Sequence, residues 1–295
     1  MFVTVGSFDG VHLGHAALLA RLAKSARTHK MPSLAVYFPL PPKVVFSGKT
    51  DACLLTLPAE RERLIRACGA DRATPLEFTK ELAAMSHRDF FYDILLGRFG
   101  ARGLIVGHDF AFGHERGGHL DFLRQECAKN SIPLEIVSFE THDGHKVSSS
   151  HIRTLLSEGA VSEAAVWLGR PYAAEGVIVK GEGLGRRLGY PTANVSADPR
   201  QLLPRGVYCV RAMLGRESFP AVANIGARPT VSDSGRITLE VHLLDFSRDI
   251  YGKNMRVEFV SRIRAEKKFN SHSELCGAIS HDVGAVRDCL GAKSV

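Results

Sequence analysis

The first half of the chain alternates short apolar runs with segments of helical periodicity. Apolar runs at residues 2–5, 34–38, 104–106 and 134–139 predict buried strands. Helical patterns at residues 13–27, 60–68, 87–99 and 120–130 fall between and around them. Strands that alternate with helices are typical of parallel βαβ units. We therefore expect an α/β fold with a helix-covered parallel sheet that binds ligands at the carboxyl ends of its strands.

The pattern changes after a predicted helix at residues 152–168. Alternating apolar and polar positions at residues 173–179, 207–213, 221–225, 237–244 and 255–260 predict short strands, and residues 273–290 predict a final helix. Short strands that are separated by Gly, Pro and Asp turns are typical of a small antiparallel barrel or sandwich. We place the boundary at Gly169, which gives domains of residues 1–168 and 169–295.

Composition narrows the classes of protein. Of the 295 residues, 45% are hydrophobic and 23% charged, which excludes a disordered chain. No apolar run reaches the roughly 18–20 residues that span a bilayer, so we expect no membrane partner. The net charge of +7 is compatible with nucleotide ligands, and the alternative is an ordinary solvated basic surface. The basic residues are not clustered, so we do not expect nucleic acid as a partner. Scattered cysteines and the absence of a secretory signal predict a cytoplasmic protein.

A glycine-bearing turn at residues 6–15 follows the first strand and opens a helix. Free N–H groups at a helix start favour phosphate, and the candidate residues for binding nucleotide phosphates here are Gly6, Phe8, Asp9 and Gly10. His12 and His15 are three residues apart and share one face, so both can donate hydrogen bonds to charge that develops on a phosphate. The alternative is an ordinary helix start with two surface histidines.

A second candidate anion site precedes the domain boundary. Three consecutive serines, Ser148, Ser149 and Ser150, start a helix, and Arg153 follows one turn later. A helix N-cap accounts for one of the serine hydroxyls. Together, the three serines and the arginine can bind a phosphate, to which the guanidinium donates two hydrogen bonds.

Two segments of the second half carry different chemistry. The loop that starts at Gly181 is glycine-rich and then places Thr192 and Asn194 two residues apart, which are hard oxygen ligands suited to Mg²⁺. Glu240 lies on the polar face of an alternating strand, where it can act as a general base or be a solvated strand residue. The candidate phosphate-binding residues of the loop, which can also be a long hairpin, are Gly181, Gly183, Gly185 and Arg186.

The first half resembles the HxGH nucleotidylyltransferase superfamily. More closely, the chain resembles the prokaryotic bifunctional riboflavin kinase/FMN adenylyltransferase family, also called FAD synthetases. The family's GxFDGxHxGH stands at residues 6–15, FTKELAxMS at 78–86, VGxDFxFG at 106–113 and SSTxIR at 148–153, with Ser150 in place of Thr.

The second half resembles the family's riboflavin kinase module. GRxxGxPTAN stands at residues 185–194, NIGxRPT at 224–230 and EVHLLDF at 240–246. LRxExKF is nearly matched at residues 263–269, where Ile263 replaces Leu.

The resemblance implies an N-terminal adenylyltransferase with a parallel sheet and a C-terminal six-stranded antiparallel kinase barrel with a terminal helix. It implies that ATP phosphorylates riboflavin to FMN and that a second ATP adenylylates FMN to FAD, so flavins are substrates and products. It assigns adenylyl transfer to His12, His15 and Arg153, Mg²⁺ with ATP to Thr192 and Asn194, and the kinase base to Glu240. We expect a monomer or weak oligomer. The implied flavin contacts are Asp109, Phe110, Phe112 and Arg264.

One departure leaves alternatives open. In the family's FxPHP segment, the register that keeps both prolines puts Leu40 where the histidine usually stands. Efficient catalysis by the kinase alone is therefore an alternative. The other hypotheses are a different HxGH enzyme fused to an unrelated barrel and a non-catalytic protein that binds flavin or nucleic acid.

Overall fold

The computed structural model describes residues 1–48, 50–138, 141–142, 145–227 and 237–291. The chain divides into two compact units, Met1–Ser149 and Ser150–Val295. Phe139, at the end of a predicted strand, and positions 228–230 of the motif at residues 224–230 lie outside the described residues.

The first unit is built on a parallel sheet, as the sequence predicts, and the sheet has five strands where the apolar runs indicate four. Its strands are β1 (Phe2–Gly6), β2 (Ser33–Tyr37), β3 (Arg72–Pro75), β4 (Gly103–Gly107) and β5 (Leu134–Val137). Their order is β3-β2-β1-β4-β5, and every neighbouring pair is parallel. Successive side chains of a strand point to opposite faces, so the sheet separates two apolar cores.

Helices cover both faces of this sheet. Val3 and Val106 pack in the core on one face, and Phe2 and Ile105 pack in the core on the other. In the described part of either unit, no helix is long and apolar enough to cross a membrane. The remaining elements of the first unit are α1 (Leu13–Thr28), α2 (Pro42–Ser47), α3 (Pro58–Ala67), α4 (Lys80–Ala84), α5 (His87–Asp89) with the π-helix Phe90–Arg98 that follows it, the 3₁₀ turn His114–Arg116, α6 (Leu120–Lys129), and the short strands β6 (Thr141–His142) and β7 (His145–Lys146).

The second unit is a closed antiparallel barrel, which confirms the predicted architecture. The strand order around the barrel is β10-β11-β12-β9-β8-β13, and β13 pairs with β10 to close it. Val286 of the terminal helix is fully buried against Val207, Cys209 and Val222 of the barrel. The elements of the second unit are α7 (Ser149–Glu158), whose first residue is the last of the first unit, α8 (Val161–Leu168), β8 (Ala173–Val179), α9 (Leu184–Arg187), β9 (Ala193–Ala197), β10 (Gly206–Leu214), β11 (Glu217–Ala227), β12 (Ile237–Leu243), β13 (Asn254–Arg264) and α10 (His272–Leu290).

The predicted single helix at residues 152–168 is wrong, because the chain forms α7 and α8 with a break at Gly159. Gly159 has φ +81°, in the left-handed region that favours glycine. A Cβ at this position would lie 2.8 Å from the Tyr208 hydroxyl and 2.9 Å from the Arg262 guanidinium. A side chain at this break would therefore clash with residues of the barrel.

Candidate active sites

The carboxyl ends of β1 and β4 open into a cavity of about 1020 Å³ in the first unit. Gly6 at the end of β1 and Gly107 at the end of β4 both line it. The chain crosses from β1 to β2 on one side and places β4 on the other, so the cavity lies at the switch point where open parallel sheets bind ligands. Its volume is sufficient for a nucleotide together with a second substrate.

His12 and His15 form a stacked pair at the start of α1. His12 is the N-cap residue, and its Nδ1 accepts a hydrogen bond from the His15 backbone N–H at 3.3 Å. The two rings stack with centroids 3.6 Å apart, and the Phe8 ring packs edge-on against His15. His15 lines the cavity, whereas His12 is only 6% exposed and is not among the lining residues. The structure thus brings the predicted pair together and presents His15 to a ligand.

Asp9, a predicted ATP contact, is buried and holds the loop between β1 and α1. Its carboxylate accepts hydrogen bonds from the backbone N–H groups of Leu55 and Thr56 at 3.0–3.1 Å. It also forms a 2.8 Å ion pair with Arg61, and both side chains are almost fully buried. The Gly10 N–H donates to the Thr56 hydroxyl at 3.0 Å. Gly6 and Phe8 line the cavity, and contact of Asp9 and Gly10 with ATP stays a prediction.

Aromatic side chains form much of the cavity wall. The predicted flavin contacts Phe110 and Phe112 stack on each other with centroids 5.3 Å apart. Phe78 packs edge-on against Phe38 and Phe46, at 5.5 Å in each case. All five line the cavity, a surface suited to a planar aromatic ring. Sequence reasoning missed Phe38, which lies in the segment that corresponds to FxPHP, and Phe46, which lies outside the motifs.

Charged groups surround this aromatic wall. Asp109 lines the cavity, and its carboxylate forms a 2.7 Å ion pair with Lys146. Lys43, Lys80 and Arg116 also line the cavity, and the sequence pattern did not indicate them. Cations at a cavity that also contains His15 favour an anionic ligand such as a phosphate ester.

The serine segment touches the same loop. Ser149 starts α7, and its hydroxyl donates to the Asp9 carbonyl at 2.9 Å. Ser148 is half-buried before the helix, and Ser150 is exposed in its first turn. Arg153 follows one turn along α7. The predicted phosphate-binding role of these residues stays a prediction.

The predicted polar residues of the second unit lie together on neighbouring strands of the barrel. Glu240 of β12 stands directly opposite Asn194 of β9 on one side and Asn224 of β11 on the other. Directly opposed residues share one face of a sheet. The Thr192 hydroxyl lies 3.5 Å from the Glu240 carboxylate. The structure therefore groups the predicted magnesium ligands with the predicted base.

The glycine-rich loop lies directly against this polar group. A Cβ on Gly181 would be 2.2 Å from the Asn194 amide nitrogen, so a larger residue here would displace the Asn194 side chain. Gly183 precedes α9, which contains Gly185 and Arg186. Arg186 and Thr192 line a cavity of about 420 Å³. Sequence reasoning missed further residues of its lining, namely Arg248, Asp249, Ile250 and Tyr251.

The donor set fits a magnesium ion that is shared with substrate phosphates. Within the described ranges, no group of three or more His, Cys, Asp or Glu residues is arranged to hold a metal ion. Thr192 and Asn194 instead offer a hydroxyl and an amide oxygen beside the Glu240 carboxylate. Mg²⁺ typically takes few protein ligands and completes its shell with water and phosphate oxygens.

Arg264, a predicted flavin contact, anchors the terminal helix. Its guanidinium donates to the buried carboxylate of Asp282 on α10, at 2.8 and 3.0 Å, and lies over the Phe269 ring. A second pair joins Arg287 of α10 to Asp245, and these hydrogen bonds hold the pKa of Asp245 below its usual value. Contact of Arg264 with a flavin stays a prediction.

The two units define a class of protein: an HxGH α/β fold with a nucleotide-sized cavity, followed by an antiparallel barrel with its own polar site. A family model of FAD synthetase matches residues 1–151, and one of riboflavin kinase matches residues 168–290. The chain belongs to the family of bifunctional riboflavin kinase/FMN adenylyltransferases. The resemblance predicted from the sequence motifs is confirmed.

Relatives match over nearly the whole chain. The bifunctional riboflavin kinase/FMN adenylyltransferase of Pseudomonas fluorescens is 39% identical over 96% of this chain and 91% of its own. The protein with the same description from Escherichia coli (strain K12) is 38% identical, over 98% and 92%. The crystal structure of a macrolide-efflux protein from Streptococcus pneumoniae matches with a TM-score of 0.88 and 30% identity, over 97% and 93% of the two chains.

Proposed function

We propose that the protein makes FAD from riboflavin in two steps. The second unit transfers the γ-phosphate of ATP to riboflavin and gives FMN and ADP. The first unit transfers the AMP moiety of a second ATP to FMN and gives FAD and pyrophosphate. The observation that carries this proposal is the presence of both sites in one chain, whose relatives from P. fluorescens and E. coli are described by both activities.

In the kinase step, Glu240 accepts the proton of the ribityl hydroxyl as that oxygen attacks the γ-phosphorus of ATP. A bond forms between the ribityl oxygen and the γ-phosphorus, and the bond from this phosphorus to the β,γ-bridging oxygen breaks as ADP leaves. The backbone of the glycine-rich loop and Arg186 position the phosphates. Thr192 and Asn194 would hold Mg²⁺, which neutralises phosphate charge when it is bound.

In the adenylyl step, a phosphate oxygen of FMN attacks the α-phosphorus of ATP and pyrophosphate leaves. His15 donates a hydrogen bond to the charge that develops there, and His12 fixes the turn that carries His15. The planar flavin stacks on the aromatic wall that includes Phe110 and Phe112. Direct attack needs no covalent enzyme intermediate.

The hypothesis of an efficient kinase alone has no support from the described residues. The cavity retains His15 with its stacked partner His12, and Leu40, which follows β2, is not among the residues that line it. We therefore propose that both steps proceed in this chain.

The test is to incubate the protein with riboflavin and Mg-ATP and to separate the flavins by chromatography. FMN and FAD are both expected, and FAD is expected from FMN supplied directly. Parallel reactions with EDTA test the magnesium requirement of each step. FMN as the sole product would restrict the function to the kinase, and salt-dependent oligonucleotide binding without flavin turnover would favour the non-catalytic alternative.

A further inference from the structure

Arg61 of α3 joins several segments of the first unit through a fully buried guanidinium. It donates to the backbone carbonyls of Ser7 at 3.1 Å and of Phe38 at 2.6 Å. It also donates to the Thr56 carbonyl and to the Asp9 carboxylate, both at 2.8 Å. The arginine side chain is 0% exposed, so water does not replace any of these contacts.

The segments that Arg61 joins form the wall of the cavity. Ser7 and Phe38 line it directly, and the loop after Ser7 leads to His12 and His15. This loop is conformationally strained, because Phe8 and Val11 have φ of +47° and +38°. Such backbone conformations persist only where the surroundings fix them.

We propose that Arg61 is a positioning residue for adenylyl transfer. By donating to both the β1–α1 loop and the segment after β2, it holds the strained loop so that His15 faces the reacting phosphate. The inference rests on the proposed FMN adenylylation. The competing explanation is that Arg61 only neutralises the buried Asp9 carboxylate.

A double variant separates these two explanations. Asp9→Asn combined with Arg61→Met removes both buried charges, so no unpaired charge remains to unfold the unit. The loop carbonyls nevertheless lose their common donor. We expect kcat for FAD formation from FMN to fall about 10- to 100-fold, because a displacement of about 1 Å at a reacting centre has effects of that order. KM for FMN should change less than about threefold, since the predicted flavin contacts Phe110 and Phe112 follow β4, whereas Arg61 holds the segments that follow β1 and β2.

Arg61→Lys provides a second variant that keeps the charge next to Asp9. Lysine is a point donor and cannot reproduce the planar fork that reaches several carbonyls at once. We therefore expect kcat to fall by a similar factor, even if the double variant fails to fold. The matched control is Arg66→Lys on the same helix, whose side chain is half-exposed and pairs with Glu62. Riboflavin phosphorylation by the second unit is the control within each variant.

The outcomes are distinguishable. A loss of kcat with unchanged riboflavin phosphorylation and little change in KM supports the inference. Wild-type rates of FAD formation in Arg61→Lys and in the folded double variant overturn it and leave the proposed function intact. Failure of the wild-type protein to make FAD from FMN overturns the proposed function and this inference together. An equal loss of both activities in the variants also overturns the inference.

Discussion

The two histidine rings of the first unit have different surroundings, and we therefore predict different roles for them. His15 faces the cavity, whereas His12 is almost buried and caps α1. We predict that His15→Ala lowers the rate of FAD formation from FMN about 10²- to 10³-fold, because one hydrogen-bond donor to the transition state is lost. Riboflavin phosphorylation should not change. Initial rates with each flavin, measured in parallel, check this prediction.

His119→Ala is the matched control for that experiment. His119 is exposed before α6 and makes no side-chain cap hydrogen bond. It should retain both activities. If His15→Ala also retained its rate of FAD formation, the pair would be an ordinary helix start.

Glu240 is the predicted general base of the second unit. Glu240→Gln keeps the size of the side chain but removes the basic carboxylate next to Thr192. A positioned general base typically contributes about 10²- to 10⁴-fold, so we predict that riboflavin phosphorylation falls by that order. Adenylylation of supplied FMN should continue. Steady-state assays with riboflavin and with FMN provide the measurement.

The control for Glu240→Gln is Glu258→Gln on β13. Glu258 pairs with Arg256 at 3.1 Å and is not part of either cavity lining. The variant should phosphorylate riboflavin normally. A wild-type rate in Glu240→Gln would identify Glu240 as a solvated strand residue.

Local sequence predicted these catalytic candidates but not the residues that support them. The glycine and histidine spacing near residue 10 is visible over a few positions. By contrast, Asp9 finds its partner Arg61 far along the chain, on the buried face of a helix that also buries Ile65. The signal that the sequence offers for burial of Arg61 is its position four residues before Ile65, which puts both side chains on one face of the helix. Arg264 and Asp282 pair in the same way between β13 and α10, which no local pattern shows.

At the scale of elements, prediction succeeded where burial is periodic. The strands β1, β2 and β4 are almost entirely buried and apolar, and each was predicted within about one or two residues. The edge strand β3 was missed because only Ala73 of its four residues is buried. β9 was missed because its first two residues, Ala193 and Asn194, belong to the motif that predicts magnesium ligands.

The break at Gly159 leads to a stability prediction. Gly159→Ala places a Cβ against Tyr208 and Arg262 in a backbone conformation that favours glycine. We predict a decrease of about 1–3 kcal/mol in the free energy of unfolding of the second unit. Trp167 is the single tryptophan and lies in α8, so its fluorescence during urea unfolding reports on this unit.

Gly284→Ala in α10 is the matched control. A Cβ at Gly284 meets no atom within 4 Å, and the residue lies inside the helix. Its unfolding free energy should stay the same or rise by up to about 1 kcal/mol, since alanine has the higher helix propensity. Equal stability of the Gly159→Ala variant would mean that α7 and α8 accommodate the methyl group by moving.

At the scale of the whole molecule, the boundary between catalytic modules remains a prediction. The compact units meet between Ser149 and Ser150, whereas we expect the kinase module to begin at Gly169. The helices between these positions contact the barrel. Ser162 of α8 donates to the Val260 carbonyl at 3.0 Å, and Arg262 donates to the Glu158 carbonyl at 2.9 Å.

Two fragments, residues 150–295 and 169–295, test this boundary. Both contain the closed barrel, the polar group around Glu240 and α10, so we predict that both fold and phosphorylate riboflavin. The shorter fragment should unfold at lower urea concentration, because removal of α8 exposes the barrel surface that packs against Val161, Ala164 and Leu168. Circular dichroism and riboflavin turnover measure both properties.

If only the longer fragment folds, α7 and α8 are part of the kinase core and the boundary lies at Ser150. If neither fragment folds, the barrel depends on the first unit, and independent catalysis by the two units would have to be abandoned.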